Sequence, residues 1–300
     1  MDILTLDKVS KSFGEKRVLK DISFSVPEGS IFGFIGQNGA GKTTTMKMIL
    51  GLLKIDQGEI HVCKEKVSFG QNATNQYIGY LPDVPEFYDF MTPREYLMLC
   101  GSITGMSKKV SMERTEELLE MVGLSQEKRR IRGFSRGMKQ RLGVAQEVFN
   151  RPKLLICDEP TSALDPVGRK DLLEILVQAK KETTILFSTH ILSDVERICD
   201  QVAFLHGGEL VLKGNLEEIK SKHAGNDLEM EFQSSKDLQM FLSQYQEGKE
   251  LGSLRLQYEA KTEKEMLQMM EYMLQNNICP QKIERLEKSL EDLFMEVVGR

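Results

Sequence analysis

A glycine-rich turn between an apolar run and a helix-like stretch constrains this chain more than any other feature. The apolar run covers residues 31 to 35, and residues 43 to 50 have the pattern of a helix. The turn matches G-x-x-x-x-G-K-[ST] and consists of Gly36, Gln37, Asn38, Gly39, Ala40, Gly41, Lys42 and Thr43, with Thr44 next. A strand, a glycine-rich loop and a helix in this order form a phosphate-binding loop, or P-loop. The sequence therefore predicts binding of a nucleoside triphosphate.

The residue types in this loop each have a physical purpose. The glycines let consecutive backbone N–H groups point at phosphate oxygens, and the helix start adds the positive end of its dipole. Lys42 is predicted to reach the terminal phosphates. The hydroxyl of Thr43 is predicted to ligate Mg²⁺, whose octahedral shell is completed by phosphate oxygens and water. Kinases, GTPases, helicases and transport ATPases all fit this pattern.

A second apolar run ends in two acidic residues. Residues 154 to 157 read Leu-Leu-Ile-Cys, and Asp158 and Glu159 follow. This pattern indicates a buried parallel strand that delivers carboxylates to its C-terminal end. Asp158 is predicted to hold Mg²⁺ through water. Glu159 is the candidate general base for the water that attacks the γ-phosphate.

Three further segments narrow the class of protein. Residues 134 to 141 read Phe-Ser-Arg-Gly-Met-Lys-Gln-Arg, residues 160 to 165 read Pro-Thr-Ser-Ala-Leu-Asp, and residues 187 to 190 read Phe-Ser-Thr-His. In this order they resemble the signature motif, the D-loop and the switch histidine of ATP-binding cassette (ABC) ATPases. The resemblance covers about residues 1 to 222 of the chain. It implies an α/β P-loop fold with a core α/β sheet, an antiparallel β subdomain and a helical subdomain.

The resemblance also implies roles for individual residues. Cassettes of this family dimerise head to tail, and each ATP lies between the P-loop of one protomer and the signature motif of the other. Ser135 and the N–H of Gly137 are then expected to bind the γ-phosphate held by the partner protomer. Phe13 matches the aromatic residue that stacks on adenine. His190 is expected to hydrogen-bond the γ-phosphate and orient the water, so the implied cofactors are ATP and Mg²⁺.

Two sites depart from the family pattern. The signature has Arg136 and Met138 where the common motif has glycine and glutamine, and Asp83 replaces the glutamine of the Q-loop. An aspartate is shorter and charged, but it can ligate Mg²⁺ directly or through water. Asp83 is therefore predicted as a metal ligand beside Thr43 and Asp158.

Charge, hydropathy and cysteine content limit the class further. The formal net charge is −5 without a basic tract, so no nucleic-acid partner is expected. The apolar runs are shorter than the roughly 18 residues of a membrane span, and the N-terminus does not have the pattern of a leader. Five cysteines without metal-type spacing indicate reduced thiols. We expect a cytoplasmic protein, peripheral on the inner face of the cell membrane, with any membrane pathway in other chains.

The distribution of charge predicts a domain boundary. Residues 215 to 300 carry 17 acids and 11 lysines or arginines, whereas residues 1 to 214 have a net charge of +1. We place the boundary near Gly225, with an ATP-binding cassette over residues 1–224 and an accessory α/β domain over residues 225–300. Within the cassette, helical periodicity predicts a helical subdomain over about residues 90–140. Gly207 and Gly208, between two strand-like runs, predict a two-residue hairpin.

The C-terminal residues carry weaker patterns. Strands are predicted over residues 228–232, 254–258 and 283–286, with helices between them and at the end. Met266, Met270 and Met273 have the spacing of one helical face, which favours packing in a core. Residues 289 to 294, Ser-Leu-Glu-Asp-Leu-Phe, resemble the end of the accessory domain in the antibiotic-resistance type of ABC exporter.

These motifs predict the ATP-binding and ATP-hydrolysing subunit of an ABC transporter, specifically an exporter. Its expected partners are separate membrane-spanning permease subunits and a second ATPase subunit, in a homodimer or a heterodimer. The alternative is a soluble ABC ATPase acting on ribosomes or DNA, although such proteins usually join two cassettes or insert long coiled coils. A binding module without hydrolysis is a third possibility, which Lys42, Glu159 and His190 disfavour. Nothing in the sequence names the transported substrate.

Overall fold

The chain forms two compact units, Met1–Leu216 and Glu217–Arg300. They belong to a computed structural model that describes residues 1–70, 73–222, 227–260, 262–286 and 289–298. Gly225, the predicted boundary, lies outside the described residues. Over the described residues, every helix is too short or too polar to cross a lipid bilayer.

The first unit alternates strands and helices. Its strands are β1 (Asp2–Phe13), β2 (Lys16–Pro27), β3 (Ile31–Gly36), β4 (Gln57–Val62), β5 (Glu65–Lys66), β6 (Ile78–Leu81), β7 (Leu154–Asp158), β8 (Thr184–Thr189), β9 (Gln201–His206) and β10 (Glu209–Asn215). Its helices are α1 (Lys42–Ile49), α2 (Pro93–Ile103), α3 (Lys108–Met121), α4 (Arg136–Glu147), α5 (Pro166–Ala179) and α6 (Leu192–Ile198), and α7 (Leu216–Lys222) follows. Short 3₁₀ turns cover Ala73–Tyr77 and Ile131–Gly133.

A six-stranded core sheet has the order β10-β9-β3-β8-β7-β6. All neighbouring strands are parallel except β10, which pairs antiparallel with β9 through the predicted hairpin at Gly207 and Gly208. Strands β3, β7 and β8 are buried along their whole length, which explains the apolar runs in their sequences. Because parallel strands end at the same edge, the residues after these three strands lie close together.

A second, antiparallel sheet covers one face of the core. Its order is β2-β1-β4-β5. Phe24 of β2 stacks on Phe32 and Phe34 of β3, with ring centroids 5.3 and 5.2 Å apart. Such stacked aromatic pairs add to the free energy of area burial. The resemblance implies this antiparallel sheet, but no sequence pattern predicts β4, where Ile60 and Val62 are the buried residues.

Helices α2, α3 and α4 form the helical part of the first unit. Thr92 caps α2, and its side chain and that of Glu95 form a reciprocal capping box. Pro93 occupies the first turn of the helix, as the sequence predicts. Ser107 caps α3 and Ser135 caps α4 in the same way, each accepting a backbone N–H from its own first turn.

The second unit has its own sheet and core. Its elements are β11 (Asp227–Glu231), α8 (Ser235–Gln244), β12 (Lys249–Glu250), β13 (Arg255–Glu259), α9 (Glu263–Gln275), β14 (Lys282–Arg285) and α10 (Leu290–Val298). The strands form an antiparallel sheet in the order β12-β13-β11-β14. On α9, Met269 and Met273 are buried and Met266 packs beside them, whereas Met270 is 44% exposed. The predicted methionine face is therefore wrong at Met270, because the buried face runs through residue 269.

Candidate nucleotide-binding site

The glycine-rich loop connects the end of β3 to the start of α1. Gly41, which caps α1, has a φ of 114°, in the region that favours glycine. A Cβ atom there would lie 2.7 Å from Leu19 Cδ2, and one at Gly36 would lie 2.6 Å from the carbonyl oxygen of Leu205. Both glycines are therefore required by the fold itself. The exposed loop residues, which are open to a ligand, are Gln37, Asn38, Gly39 and Thr43, while Ala40 and Thr44 are half-buried.

Lys42 is the first residue of α1, and only 5% of it is exposed. Its ammonium group donates to the carbonyl oxygens of Gly36 at 2.5 Å and Gln37 at 3.2 Å. It also lies 2.9 Å from Oε1 of Glu159. Within the described part of the chain, Oε1 of Glu159 accepts no aligned hydrogen bond. This contact is therefore an ion pair, and it links the P-loop to the end of β7.

Glu159 follows β7 and has a φ of 51°. A non-glycine residue in this region is strained, and such strain clusters at functional sites. Its N–H donates to the carbonyl oxygen of Ser188 at 3.0 Å, and its Oε2 lies 2.8 Å from Nδ1 of His190. The ends of β3, β7 and β8 thus bring together Lys42, Glu159 and His190, the three residues predicted to be catalytic.

Asp158 is the last residue of β7, and only 4% of it is exposed. Its Oδ1 accepts a hydrogen bond from Ser188 Oγ at 3.1 Å. Burial and the charge of Asp158 raise the pKa of the Tyr80 hydroxyl to about 12. The Ser188 hydroxyl therefore orients this carboxylate. This donor is not predicted from the sequence, although Ser188 lies within the switch-histidine segment.

The predicted metal ligands are only partly brought together by what the structure describes. Asp158 is the last residue of β7, and Thr43 lies in α1, which follows β3. In the core sheet, β8 lies between these two strands. The described residues contain no group of three or more His, Cys, Asp or Glu side chains that could hold a metal alone. A Mg²⁺ ion shared with phosphate oxygens and water needs fewer protein ligands, so Asp158 and Thr43 fit that role.

Asp83, the third predicted metal ligand, has other partners. Its Oδ1 accepts hydrogen bonds from Arg136 Nη2 at 2.9 Å and from Ser162 Oγ at 2.6 Å. Its backbone carbonyl oxygen accepts a hydrogen bond from the Gln140 amide. The structure therefore places Asp83 against the signature motif and the D-loop of its own chain.

The remaining predicted ligand contacts lie on exposed parts of the first unit. Ser135 and Gly137 occupy the start of α4, and the Ser135 hydroxyl accepts the N–H of Met138 at 3.2 Å. A Cβ atom at Gly137 would meet nothing closer than Leu164 Cδ2 at 3.9 Å. Phe13 is 51% exposed, and the Lys11 ammonium lies 5.4 Å from its ring centroid. These groups are available to a molecule outside the chain.

A cavity of about 640 Å³ lies between β6, α2 and α4. The rings of Phe87, Tyr88 and Tyr96 line it, and Phe87 and Tyr96 meet edge to face at 5.1 Å. Glu147 also lines it and accepts the N–H of Tyr80 at 2.8 Å. Burial raises the pKa of Glu147 to about 7. No sequence pattern singles out this residue, because a glutamate near a helix end is usually solvated.

Comparison with known proteins agrees with this geometry. A family model described as ABC transporter matches residues 19–162. The uncharacterised ABC transporter ATP-binding protein YxlF of Bacillus subtilis (strain 168) is 44% identical over 225 residues, 75% of each chain. The bacitracin transport ATP-binding protein BcrA of Bacillus licheniformis is 34% identical over 307 residues, covering 99% of this chain and 97% of BcrA. The structure of cbiO1 from Clostridium perfringens, part of the ABC transporter complex cbiONQ, is 25% identical with a TM-score of 0.67, covering 74% of this chain and 91% of cbiO1.

The chain belongs to the ABC transporter family of ATP-binding proteins. It is the ATP-binding subunit of an ABC transporter, and its activity is ATP hydrolysis. The predicted family, the α/β P-loop fold class and the ATPase activity are confirmed. The roles of individual site residues stay predictions.

Proposed function

We propose that this chain powers an exporter whose membrane-spanning permease subunits are separate chains. The observation that carries the chemistry is the convergence of Lys42, Glu159 and His190, with Glu159 2.9 Å from the lysine and 2.8 Å from the histidine. Glu159 accepts the proton of the attacking water. Lys42 balances the charge of the terminal phosphates, and His190 orients Glu159 and the water.

ATP and Mg²⁺ would be held by residues at the C-terminal edge of the core sheet, together with Phe13 from the antiparallel sheet. The loop over residues 36–44 surrounds the phosphates, and Phe13 stacks on adenine. Thr43 and the oriented carboxylate of Asp158 hold the Mg²⁺, which neutralises phosphate charge when bound. The exposed ring of Phe13 and the exposed hydroxyl-bearing Thr43 support this arrangement.

A dimer completes the site in this proposal. Ser135 and the N–H of Gly137 bind the γ-phosphate held by the partner protomer. The open space around Gly137 supports this role, because packing within the chain does not require a glycine there. A side chain would instead obstruct a molecule that approaches from outside. The second protomer is another copy of this chain or a related ATPase.

Two observations support export and a permease partner: the similarity of this chain to BcrA and the aromatic cavity. BcrA, similar over nearly the whole chain, is named for bacitracin transport. The aromatic cavity between β6, α2 and α4 lies beside exposed Tyr88, Phe90 and Ile103. We assign this surface to the permease, whose docking places the chain on the inner face of the membrane. The permease, and not this chain, would then select the transported substrate.

The catalytic part of the proposal is tested with Glu159→Gln. A neutral amide cannot accept the proton, so hydrolysis should slow by about 100-fold or more while ATP binding persists. The variant should accumulate an ATP-bound dimer that elutes earlier in ATP than in ADP. Turnover equal to that of the natural chain would show that another group is the base.

The shared site is tested by mixing two inactive variants. Ser135→Arg on one protomer and Lys42→Ala on the other leave one composite site intact in a heterodimer. Mixing should therefore restore part of the hydrolysis that each homodimer lacks. A mixture that stays inactive despite demonstrated heterodimers would contradict a site shared across the dimer.

The partner is tested by purification of the tagged full chain from native membranes. The proposal predicts recovery with a polytopic membrane protein. Substituting Tyr88 and Phe90 with serine should reduce that recovery while ATP binding stays unchanged. Sedimentation with ribosomes instead would favour the soluble alternative.

A further inference from the structure

We propose that Asp83 is a positioning residue, which holds the signature motif and the D-loop through Arg136 and Ser162 instead of ligating Mg²⁺. This inference rests on the proposed function, in which the signature motif serves the partner's nucleotide. It begins with an observation on sequence and structure together. Asp83 and Arg136 are the two charged departures from the family pattern, 53 residues apart, and they form an ion pair of 2.9 Å.

One carboxylate oxygen joins three separate segments. Asp83 lies just after β6, at the edge of the core sheet. Its Oδ1 accepts from Arg136, the first residue of α4, and from Ser162, which follows Glu159 by three residues. Gln140, one turn further along α4, donates to the Asp83 backbone carbonyl oxygen. The first turn of α4 is therefore attached to the end of β6 at two points.

The contacts of the Asp83 Oδ1 atom oppose a metal role. A Mg²⁺ ligand at Oδ1 would compete with a guanidinium and a hydroxyl for the same lone pairs. The positive charge of Arg136 beside Asp83 also opposes the approach of a divalent cation. Asp158, in contrast, accepts a hydrogen bond from the neutral hydroxyl of Ser188. The structure thus distinguishes two aspartates to which the sequence assigned one function.

The ion pair between Asp83 and Arg136 is weak enough for a positioning role and contributes little to folding stability. About half of each side chain is exposed, 49% for Asp83 and 42% for Arg136. Half-exposed pairs contribute little to folding stability and are weakened by salt. The pair therefore opens easily, but while it is closed it fixes where Ser135 and Gly137 stand relative to the core sheet. Small displacements of positioning groups cost much more in turnover than in stability.

Alanine substitutions of the full-length chain test this. Asp83→Ala, Arg136→Ala and the double variant are compared for turnover, KM for ATP and dependence on Mg²⁺ and salt. Hydrogen exchange over residues 136–140 supplies a readout that does not need hydrolysis. Arg94 and Glu116 form a control pair, with a 2.7 Å contact and side chains 46% and 48% exposed. That pair joins α2 to α3, away from the nucleotide loops.

We expect each single variant to lower turnover by about two- to five-fold, the range that a half-exposed ion pair supplies. KM for ATP and the Mg²⁺ requirement should stay unchanged. The double variant should be no slower than the slower single variant, because both changes remove the same interaction. High salt should bring the natural chain toward the variants, and amides at the start of α4 should exchange faster in all three.

Other outcomes overturn the proposal. A Mg²⁺ requirement raised in Asp83→Ala but not in Arg136→Ala would make Asp83 a metal ligand. If the turnover losses of the two single variants multiply in the double variant, Asp83 and Arg136 have independent roles. If variants of Arg94 and Glu116 lose as much turnover, the effect is a general loosening of the helices and not a property of the Asp83 pair. If Glu159→Gln hydrolyses normally, the proposed function fails. Faster exchange at α4 would still support the positioning pair in that case.

Discussion

Glu159 illustrates how one backbone angle can set up a site. With a φ of 51°, the chain leaves β7 in a direction that an extended residue would not take. The carboxylate then lies between Lys42 and His190 instead of pointing into the sheet. Backbone strain of this kind costs about 1–3 kcal/mol and persists only where the surroundings stabilise it. Here the Glu159 N–H bond to Ser188 and the contacts of its carboxylate with Lys42 and His190 do so.

Glu147 gives a prediction about pH at the same scale. Burial raises the pKa of this carboxyl from 4.5 to about 7, so the folded chain favours its protonated form. Its contribution to stability is complete below about pH 4.5 and is lost as pH rises through 7. Glu147→Gln stays neutral, so it should be more stable than the natural chain by about 1–2 kcal/mol at pH 8.

Urea unfolding at pH 5 and pH 8 measures this difference. The advantage of Glu147→Gln should shrink at pH 5, where the natural side chain is protonated in the folded state. Glu120→Gln, at an exposed site on α3, controls for the loss of one negative charge. An advantage that does not vary with pH would contradict the assignment.

At the scale of elements, a single buried arginine attaches α3 to α4. Arg114 is 5% exposed, and its Nη2 donates to the Val148 carbonyl oxygen at 2.8 Å and to Glu182 at 2.7 Å. Val148 caps the C-terminus of α4, where carbonyl groups lack partners in the helix. The positive charge also complements the negative end of the helix dipole.

Removing this contact should loosen the helical subdomain. Arg114→Ala removes the side-chain donors to the carbonyl oxygens of Val148 and Phe149 and breaks the pair with Glu182, so we expect a loss of about 2–4 kcal/mol in the free energy of unfolding. Arg94→Ala, which breaks the exposed pair with Glu116, should cost less than about 1 kcal/mol. Denaturant unfolding measures both losses. If Arg114→Ala and Arg94→Ala lose the same free energy of unfolding, the buried contacts of Arg114 stabilise the fold no more than an exposed ion pair does.

At the scale of the whole molecule, the two units have separate cores. The first contains every predicted site residue and both sheets of the cassette. The second has a core of its own that includes Phe232, Phe241 and Leu256. Separate cores are the physical condition for units that fold alone. Deletion of the second unit can therefore test its role.

A chain that ends at Lys222 should fold and bind ATP with an affinity within about two-fold of the full chain, since no site residue is removed. We propose that the accessory domain keeps two protomers together when ATP leaves, so the short chain should lose self-association without nucleotide. Calorimetry and light scattering of both chains measure affinity and mass. Lys42→Ala in the short chain should remove binding. A folded short chain without ATP affinity would place part of the site in the second unit.

Local patterns predicted the elements that depend on neighbours in sequence. The sequence directly predicted the P-loop, the strands that end at Gly36 and Asp158, and the hairpin at Gly207. Apolar runs, positive φ and helix caps involve residues within a few positions of one another, so the sequence carries that information. Strand β4 was missed because its pattern is mostly polar and its partner, β1, lies some 50 residues away.

The tertiary structure decided which distant side chains meet. Met270 is exposed and Met269 buried because packing of α9 against the core of the second unit selects the face, which spacing alone did not define. The pairing of Asp83 with Arg136, the burial of Glu147 and the contacts of Arg114 arise across 34 or more residues. The sequence alone identified the family and the phosphate loop, and the roles of the catalytic residues stay predictions. The partners of Asp83 were decided by folding, because strand order and helix packing set long-range distances.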